Sequence, residues 1–273
     1  MIKGRPGRAK KRFGQHFLEP AWADKLVQAI APQPDDRFLE IGPGRGALTL
    51  QLAARAAAVT AVEVDRDMAA DLTPRLPANV ALIEQDFLEF DIASAARGGV
   101  RVAGNIPYNL SSPILFSILQ AVRQGAEITD ATLMLQREVA DRIAASPGTK
   151  DYGTLSVFVQ LRAAVRRVLT LPPGAFRPPP QVHSAVLVLK FHPPAVAMKD
   201  EPTFERLVRT VFTQRRKTLV NALKPFADER HVSARAAVDT AGLDGTRRPE
   251  TLQLAEFARL ADVFVSPPAA AVL

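Results

Sequence analysis

Apolar positions along this chain follow two periods in turn. Trp22, Leu26, Val27 and Ile30 recur at helical spacing and predict a helix over 21–31, stopped by Pro32 and Pro34. Residues 37–41 (RFLEI) read as a short buried strand that runs into a glycine turn, GPGRG at 42–46, with a helix over 47–57 beyond it. Strands over 59–64, 80–83, 100–103 and 131–136 are separated by predicted helices over 66–76 and 114–122. Helical patterns cover 137–145 and 155–164, and two last strands cover 165–171 and 184–191 with a proline-rich loop between them. Strands alternating with helices imply βαβ units and a mostly parallel sheet. The last two strands have no helix between them, which implies one antiparallel strand at the sheet edge. The expected fold is therefore α/β, a Rossmann-like sheet over 20–192. A linker at 193–202 leads to a small all-helical domain over 203–273, where Phe204, Leu207, Val208 and Val211 keep helical spacing.

Composition narrows the chemistry. Hydrophobic residues make up 47% of the 273, enough for a real core. Thirty-five basic against 28 acidic residues give a net charge of +7, so a polyanionic partner is expected, nucleic acid first. The absence of cysteine excludes disulfide scaffolds, thiolate zinc sites, iron–sulfur clusters and a cysteine nucleophile. His183, His192 and His231 have no ligand spacing, and no metal is expected. No apolar run reaches the ~18–20 residues of a membrane span, and the basic start has no apolar signal region, so a cytoplasmic protein is expected. Within the segment 1–19, residues 1–12 hold Lys3, Arg5, Arg8, Lys10, Lys11 and Arg12 and no acid. It reads either as a solvated tail or as a basic arm in which Lys11 and Arg12 meet phosphate.

Three motifs fall where strands end. In the glycine turn, Gly42 and Gly44 allow tight turning and close approach of backbone to a ligand. Glu63 ends the next strand, 21 residues after Gly42, where a carboxylate can accept hydrogen bonds from both hydroxyls of a ribose. Glu40 stands just before the turn. A pyrophosphate would be disfavoured beside it and a cationic sulfonium would not. Asp86 follows the third strand, placed either to accept from an adenine amine or merely to cap a helix. Asn105-Ile106-Pro107-Tyr108 follows the fourth. The Asn105 side-chain carbonyl and the Ile106 backbone carbonyl can accept both N–H bonds of an aromatic amine and aim its lone pair at an activated methyl. Pro107 stiffens the turn and Tyr108 can stack on the base.

With these motifs the chain resembles the bacterial small-subunit rRNA adenine dimethyltransferases, a family of class I methyltransferases. The likeness runs through KRFGQHFL, LEIGPGRGALT, VEVDRD, GNIPYNLSSP, LQREVADR, YGTLSV, FRPPPQVHSAV and FTQRRKTLVNAL. It implies S-adenosyl-L-methionine as donor and, as substrate, two adjacent adenosines in the 3′-terminal hairpin of 16S rRNA, each dimethylated at N6. It implies cofactor contacts at His16, Leu18, Gly42, Glu63, Asp86 and Asn105, with Gly44 in the same turn. The target-base site falls on Asn105, Ile106, Pro107 and Tyr108, with Phe176 as a second aromatic wall. His16 stands where the family commonly has asparagine. Arg215, Arg216 and Lys217 read as a basic helix on RNA, and a monomer acting on the small ribosomal subunit is expected. Two alternatives stay open: a large-subunit rRNA adenine methyltransferase, and a DNA-binding transcription factor derived from the same fold.

Overall fold

Short apolar segments bounded by glycine and proline form strands, and the amphipathic stretches between them form helices. The computed structural model of the chain describes residues 16–265. In chain order the elements are β1 (Phe17–Leu18), α1 (Pro20–Ile30), β2 (Arg37–Ile41), α2 (Thr49–Ala53), β3 (Ala58–Glu63), α3 (Arg66–Leu72), β4 (Val80–Glu84), α4 (Ile92–Ala95), β5 (Val100–Asn105), α5 (Ser111–Arg123), β6 (Ile128–Gln136), α6 (Arg137–Ala144), α7 (Thr154–Arg162), β7 (Ala163–Leu171), β8 (Phe176–Arg177), β9 (Ser184–Phe191), α8 (Glu201–Thr213), α9 (Leu219–Asp228), α10 (Ala234–Thr240) and α11 (Leu254–Asp262). The basic arm and its candidates Lys11 and Arg12 lie outside the described residues.

The chain divides into two compact units. Among the described residues, one takes 16–140 together with 164–191, and the other takes 141–163 together with 192–265. The apolar pattern assigned 141–163 to the sheet domain, but these residues group with the C-terminal helices. The reason is that α7 is buried almost all round, at Leu155, Ser156, Val157, Phe158, Val159 and Leu161. Such a helix announces burial without announcing its partner.

In the first unit seven strands form one sheet in the order β4-β3-β2-β5-β6-β9-β7. The strands from β4 to β6 pair in parallel, and β9 runs antiparallel to β6 from Asp130↔Lys190 to Gln136↔Ser184. The antiparallel strand therefore lies one place in from the edge, with β7 outermost. Side chains explain the choice: β9 is apolar and buried from Ser184 to Leu187, whereas β7 exposes Arg166, Arg167 and Thr170, and charged positions suit an edge. A separate two-stranded ladder pairs β1 with β8, Phe17 opposite Arg177 and Leu18 opposite Phe176.

The inner strand β2 buries Phe38, Leu39, Glu40 and Ile41. Chain order reverses beside it, since β3 flanks it on one side and β5 on the other. In a parallel sheet such a reversal opens a crevice beyond the C-terminal strand ends. The opposite end is tied shut by Arg101 of β5. Its guanidinium meets Asp36 at 2.7 Å and Asp130 at 3.0 Å and donates to the Ile30 carbonyl at 2.8 Å. That group fixes the C-terminus of α1 to the sheet.

In the second unit, α8 presents Phe204, Leu207, Val208 and Val211, α9 presents Leu219, Ala222, Leu223 and Phe226, and α11 presents Phe257 and Leu260, all buried. Tyr152 packs edge-on against Phe212, which in turn packs against Phe257 at 5.7 Å. Arg162 pairs with Glu201 at the start of α8. Among the described residues no helix is long and apolar enough to cross a membrane.

Candidate functional site

The crevice at the C-terminal ends of β2, β3, β4 and β5 deepens into a cavity of about 440 Å³ lined by residues of the first unit. That volume lies within the ~300–1,000 Å³ usual for small-molecule sites. His16, Leu18, Gly42, Gly44, Glu63, Asp86 and Asn105 all line it, as do Ile106, Pro107 and Tyr108.

The glycine turn and Glu63 hold one another. Gly42 has φ +64° and Gly44 φ +54°, a region that disfavours side chains. The turn therefore brings backbone N–H groups to the cavity wall. The Gly44 N–H donates to Glu63 Oε2 at 3.0 Å, and the Asp65 N–H donates to Oε1 at 2.9 Å. Each carboxylate oxygen keeps acceptor capacity beyond one such bond, so both can still receive hydroxyls. Burial pushes the Glu63 carboxyl upward, against the pull of those backbone N–H groups.

Asp86 accepts the Leu88 N–H at 2.9 Å and so caps the short turn 87–89. The capping and ligand readings coexist here, because the same carboxylate lines the cavity. Phe87 beside it is buried and stacks with Phe90.

The fourth-strand motif is held at several points. The Ile106 N–H donates to the Met134 carbonyl of β6 at 3.0 Å. Asn105 Nδ2 donates to the His16 carbonyl at 2.9 Å, which turns Oδ1 into the atom available to an incoming amine. The His16 ring donates from Nδ1 to the Pro178 carbonyl at 2.8 Å and stacks on Tyr108, with centroids 5.6 Å apart and planes at 28°. That separation is direct ring contact. A base on Tyr108 must use its other face or displace His16.

Phe176 is a correction. Its side chain is fully buried in the core with Leu26, Val27 and Val186, and it does not line the cavity. Its strand pairing with Leu18 turns it inward, and His16 is the aromatic group that meets Tyr108. Arg215, Arg216 and Lys217 need a second correction, because they occupy the turn between α8 and α9 rather than a helix. Arg215 is committed to Glu250 and to the Thr149 carbonyl, while Arg216 and Lys217 are exposed.

Glu40 proves more central than its place before the turn suggested. It lines the cavity, is 1% exposed, and its Oε2 has no hydrogen-bond partner. Burial pushes its carboxyl up to about 8, Thr49 opposing and the Glu63 charge adding to the rise. An acid amid the apolar residues of a central strand was the visible signal. Ser184 carried no such signal. Its hydroxyl lies 2.7 Å from that of Tyr108, a contact that only the antiparallel pairing of β9 creates.

The sequence profile of the ribosomal RNA adenine dimethylases matches residues 7–265. The chain belongs to the ribosomal RNA adenine dimethylase family. It is 44% identical over 265 residues to a ribosomal RNA small subunit methyltransferase A of Acinetobacter baylyi, covering 94% of this chain and 93% of that one. It is 48% identical over 265 residues to the protein of that name from Anaeromyxobacter dehalogenans, covering 93% and 92%. Among solved structures, a dimethyladenosine transferase from Plasmodium falciparum is similar with TM-score 0.76 and 25% identity over 90% of this chain and 96% of that one. The 23S rRNA methyltransferase ErmE gives TM-score 0.68 and 28% identity over 91% and 99%. As an rRNA adenine dimethylase the chain is a methyltransferase with a Rossmann-like fold. The crevice beside β2 is where such a sheet binds its ligand.

Proposed function

We propose that this dimethylase transfers methyl groups from S-adenosyl-L-methionine to N6 of two adjacent adenosines in the 3′-terminal hairpin of 16S rRNA, giving N6,N6-dimethyladenosines during small-subunit biogenesis. The observation that carries the chemistry is the Asn105 amide, tethered through Nδ2 so that its oxygen is presented as an acceptor. The choice of the small subunit is supported by relatives of that name at 44–48% identity, against 28% for the 23S enzyme.

The donor set suits a cationic nucleoside. Two buried carboxylates, Glu40 and Glu63, face one cavity, and one Glu40 oxygen lacks any partner. Burial keeps the Glu40 carboxyl protonated near neutral pH, and a cation brought by the ligand favours its ionised form. Glu63 would take the ribose hydroxyls and Asp86 the adenine amine, while His16, Leu18, Gly42 and Gly44 close around them. When bound, the sulfonium supplies an activated methyl group.

The remaining chemistry belongs to this chain. The target base leaves its stack and rests against Tyr108. In the first transfer Asn105 Oδ1 and the Ile106 carbonyl accept the two N6–H bonds, and in the second one of them accepts the single N–H that remains, which favours a more tetrahedral nitrogen with its lone pair aimed into the cavity. Pro107 fixes the turn. Positioning and preorganised acceptors lower the barrier, and the proton can pass to water after transfer. Arg216 and Lys217, with Lys11 and Arg12, would supply phosphate contacts. The test is methyl transfer to small subunits lacking the modification, followed by mapping of dimethyladenosine. Label confined to 23S rRNA would favour the large-subunit reading, and label in neither would refute both.

A further inference from the structure

Ser184 is the first residue of β9 and is completely buried. The residues that follow it, Ala185, Val186 and Leu187, are equally buried and all apolar. A small apolar residue would fill the same space in such a strand. What serine adds is a hydroxyl, and a buried hydroxyl requires a partner. The partner is the Tyr108 hydroxyl, 2.7 Å away.

This contact completes a set of restraints on one ring. The backbone before Tyr108 hangs on β6 through the bond from the Ile106 N–H to the Met134 carbonyl. The tip of the ring hangs on β9 at Ser184, which lies opposite Gln136 at the end of β6. One face is covered by His16. With the backbone and the tip tied to two adjacent strands, the ring cannot swing about its Cα–Cβ bond, and His16 stacked on one face opposes rotation about Cβ–Cγ, so the ring is oriented before any base arrives. We propose that Ser184 is a positioning residue for methyl transfer, holding Tyr108 in the orientation that presents the target base to the methyl donor. This rests on the reading of Tyr108 as the surface on which the base stacks.

The experiment is a double-mutant cycle on the full chain: wild type, Ser184→Ala, Tyr108→Phe and the double variant, with Tyr108→Ala as a control on the underlying reading. Single-turnover methylation of unmodified small subunits is measured beside cofactor and RNA affinity. The chain has only two tyrosines, so Cζ-labelled tyrosine gives two carbon resonances, and Tyr108→Phe identifies one of them. Each single variant should slow transfer on the order of tenfold with both affinities unchanged, as loss of one buried hydroxyl pair implies. The double variant should be no slower than either single one. Ser184→Ala should shift the Tyr108 resonance and leave that of Tyr152 in place.

Additive losses would mean that Ser184 acts elsewhere and would overturn the proposal, as would a wild-type rate in Ser184→Ala. If Ser184→Ala does not fold, Tyr108→Phe decides alone: slowed transfer at unchanged affinity supports the proposal and a wild-type rate overturns it. A wild-type rate in Tyr108→Ala would instead remove the base-stacking reading itself.

Discussion

Replacing Glu40 by glutamine should make the first unit more stable, by an amount that grows with pH. Glu40 lies in the middle of the sheet, and its carboxyl is pushed by burial from 4.5 to about 8. In the unfolded chain it ionises near the ordinary glutamate value. Between these two values the unfolded chain has released a proton that the folded chain keeps. The stability associated with this group is therefore complete below the unfolded value, declines as pH rises from about 4.5, and is lost above about 8. A rise from 4.5 to about 8 corresponds to about 5 kcal/mol, of which roughly 3 kcal/mol is lost by pH 7. Glutamine keeps the shape and does not titrate. The assay is urea unfolding of both proteins at half-unit steps from about pH 5 to 9, followed by fluorescence of Trp22, the chain's single tryptophan, in α1 of the first unit. Glu63, whose carboxyl is also raised, is present in both proteins and largely cancels in the difference. A gap between the curves that stays flat with pH would refute the reasoning. The same charge has a functional counterpart: binding of S-adenosyl-L-methionine near pH 7 should release a proton from wild type and none from Glu40→Gln, read by calorimetry in buffers of different ionisation enthalpy.

Glu63→Ala should weaken cofactor binding through two lost hydroxyl bonds to a charged acceptor, each worth ~1.5–3 kcal/mol. It also unpairs the Gly44 and Asp65 N–H groups, so calorimetric affinity must be read beside the melting temperature; unchanged affinity in a folded variant removes the ribose assignment. Gly104→Ala would put a Cβ 2.8 Å from the Ile41 carbonyl and 3.0 Å from its Cβ, so β5 must shift from β2. The expected cost is about 1–3 kcal/mol in urea unfolding, with slowed transfer because Asn105 moves with the strand. Arg216→Ala and Lys217→Ala should each lower the salt slope of RNA binding by about 0.7–0.9 and spare the second unit's stability. Arg215→Ala, which breaks the pairing with Glu250, should instead destabilise that unit, and equal salt effects from all three would contradict this division.

Much of this arrangement is legible in the sequence, and for a physical reason. The cavity is built at strand ends, where the backbone must turn and the side chains that follow are fixed in sequence relative to the turn. Gly42, Glu63, Asp86 and Asn105 each follow or end a strand, so a one-dimensional reading of the strands brings them together. Contacts made by tertiary pairing are not written locally. Ser184 reaches Tyr108 through the β6–β9 ladder, which leaves no local mark, and His16, implied only by the family resemblance, meets Tyr108 beside the β1–β8 ladder. Phe176 illustrates the converse. Its motif was visible, but the direction of its side chain depends on a two-residue ladder whose register decides which face is inside. The placement of 141–163 failed for a related reason, because burial is written in composition and the identity of the covering element is not.

The identity of residue 105 follows from what the site asks of one small side chain. One end must be fixed, and the fixing group here is the His16 carbonyl, which can only accept. The other end must accept a hydrogen from an amine whose lone pair is to be kept for the methyl group. Aspartate would meet the second demand and fail the first, since an ionised carboxylate donates nothing and would face the His16 carbonyl with like polarity. It would also add another acid to a cavity already lined by Glu40, Glu63 and Asp86, raising the Glu40 and Glu63 carboxyls further. Serine can donate and accept but does so through one atom, so the tether and the substrate would compete for the same oxygen. Asparagine separates donor and acceptor onto two atoms of one rigid plane. The tether thereby orients the acceptor, and the neutral group adds no charge of its own beside the carboxyl groups that a cationic donor would meet at the ends of β2 and β3.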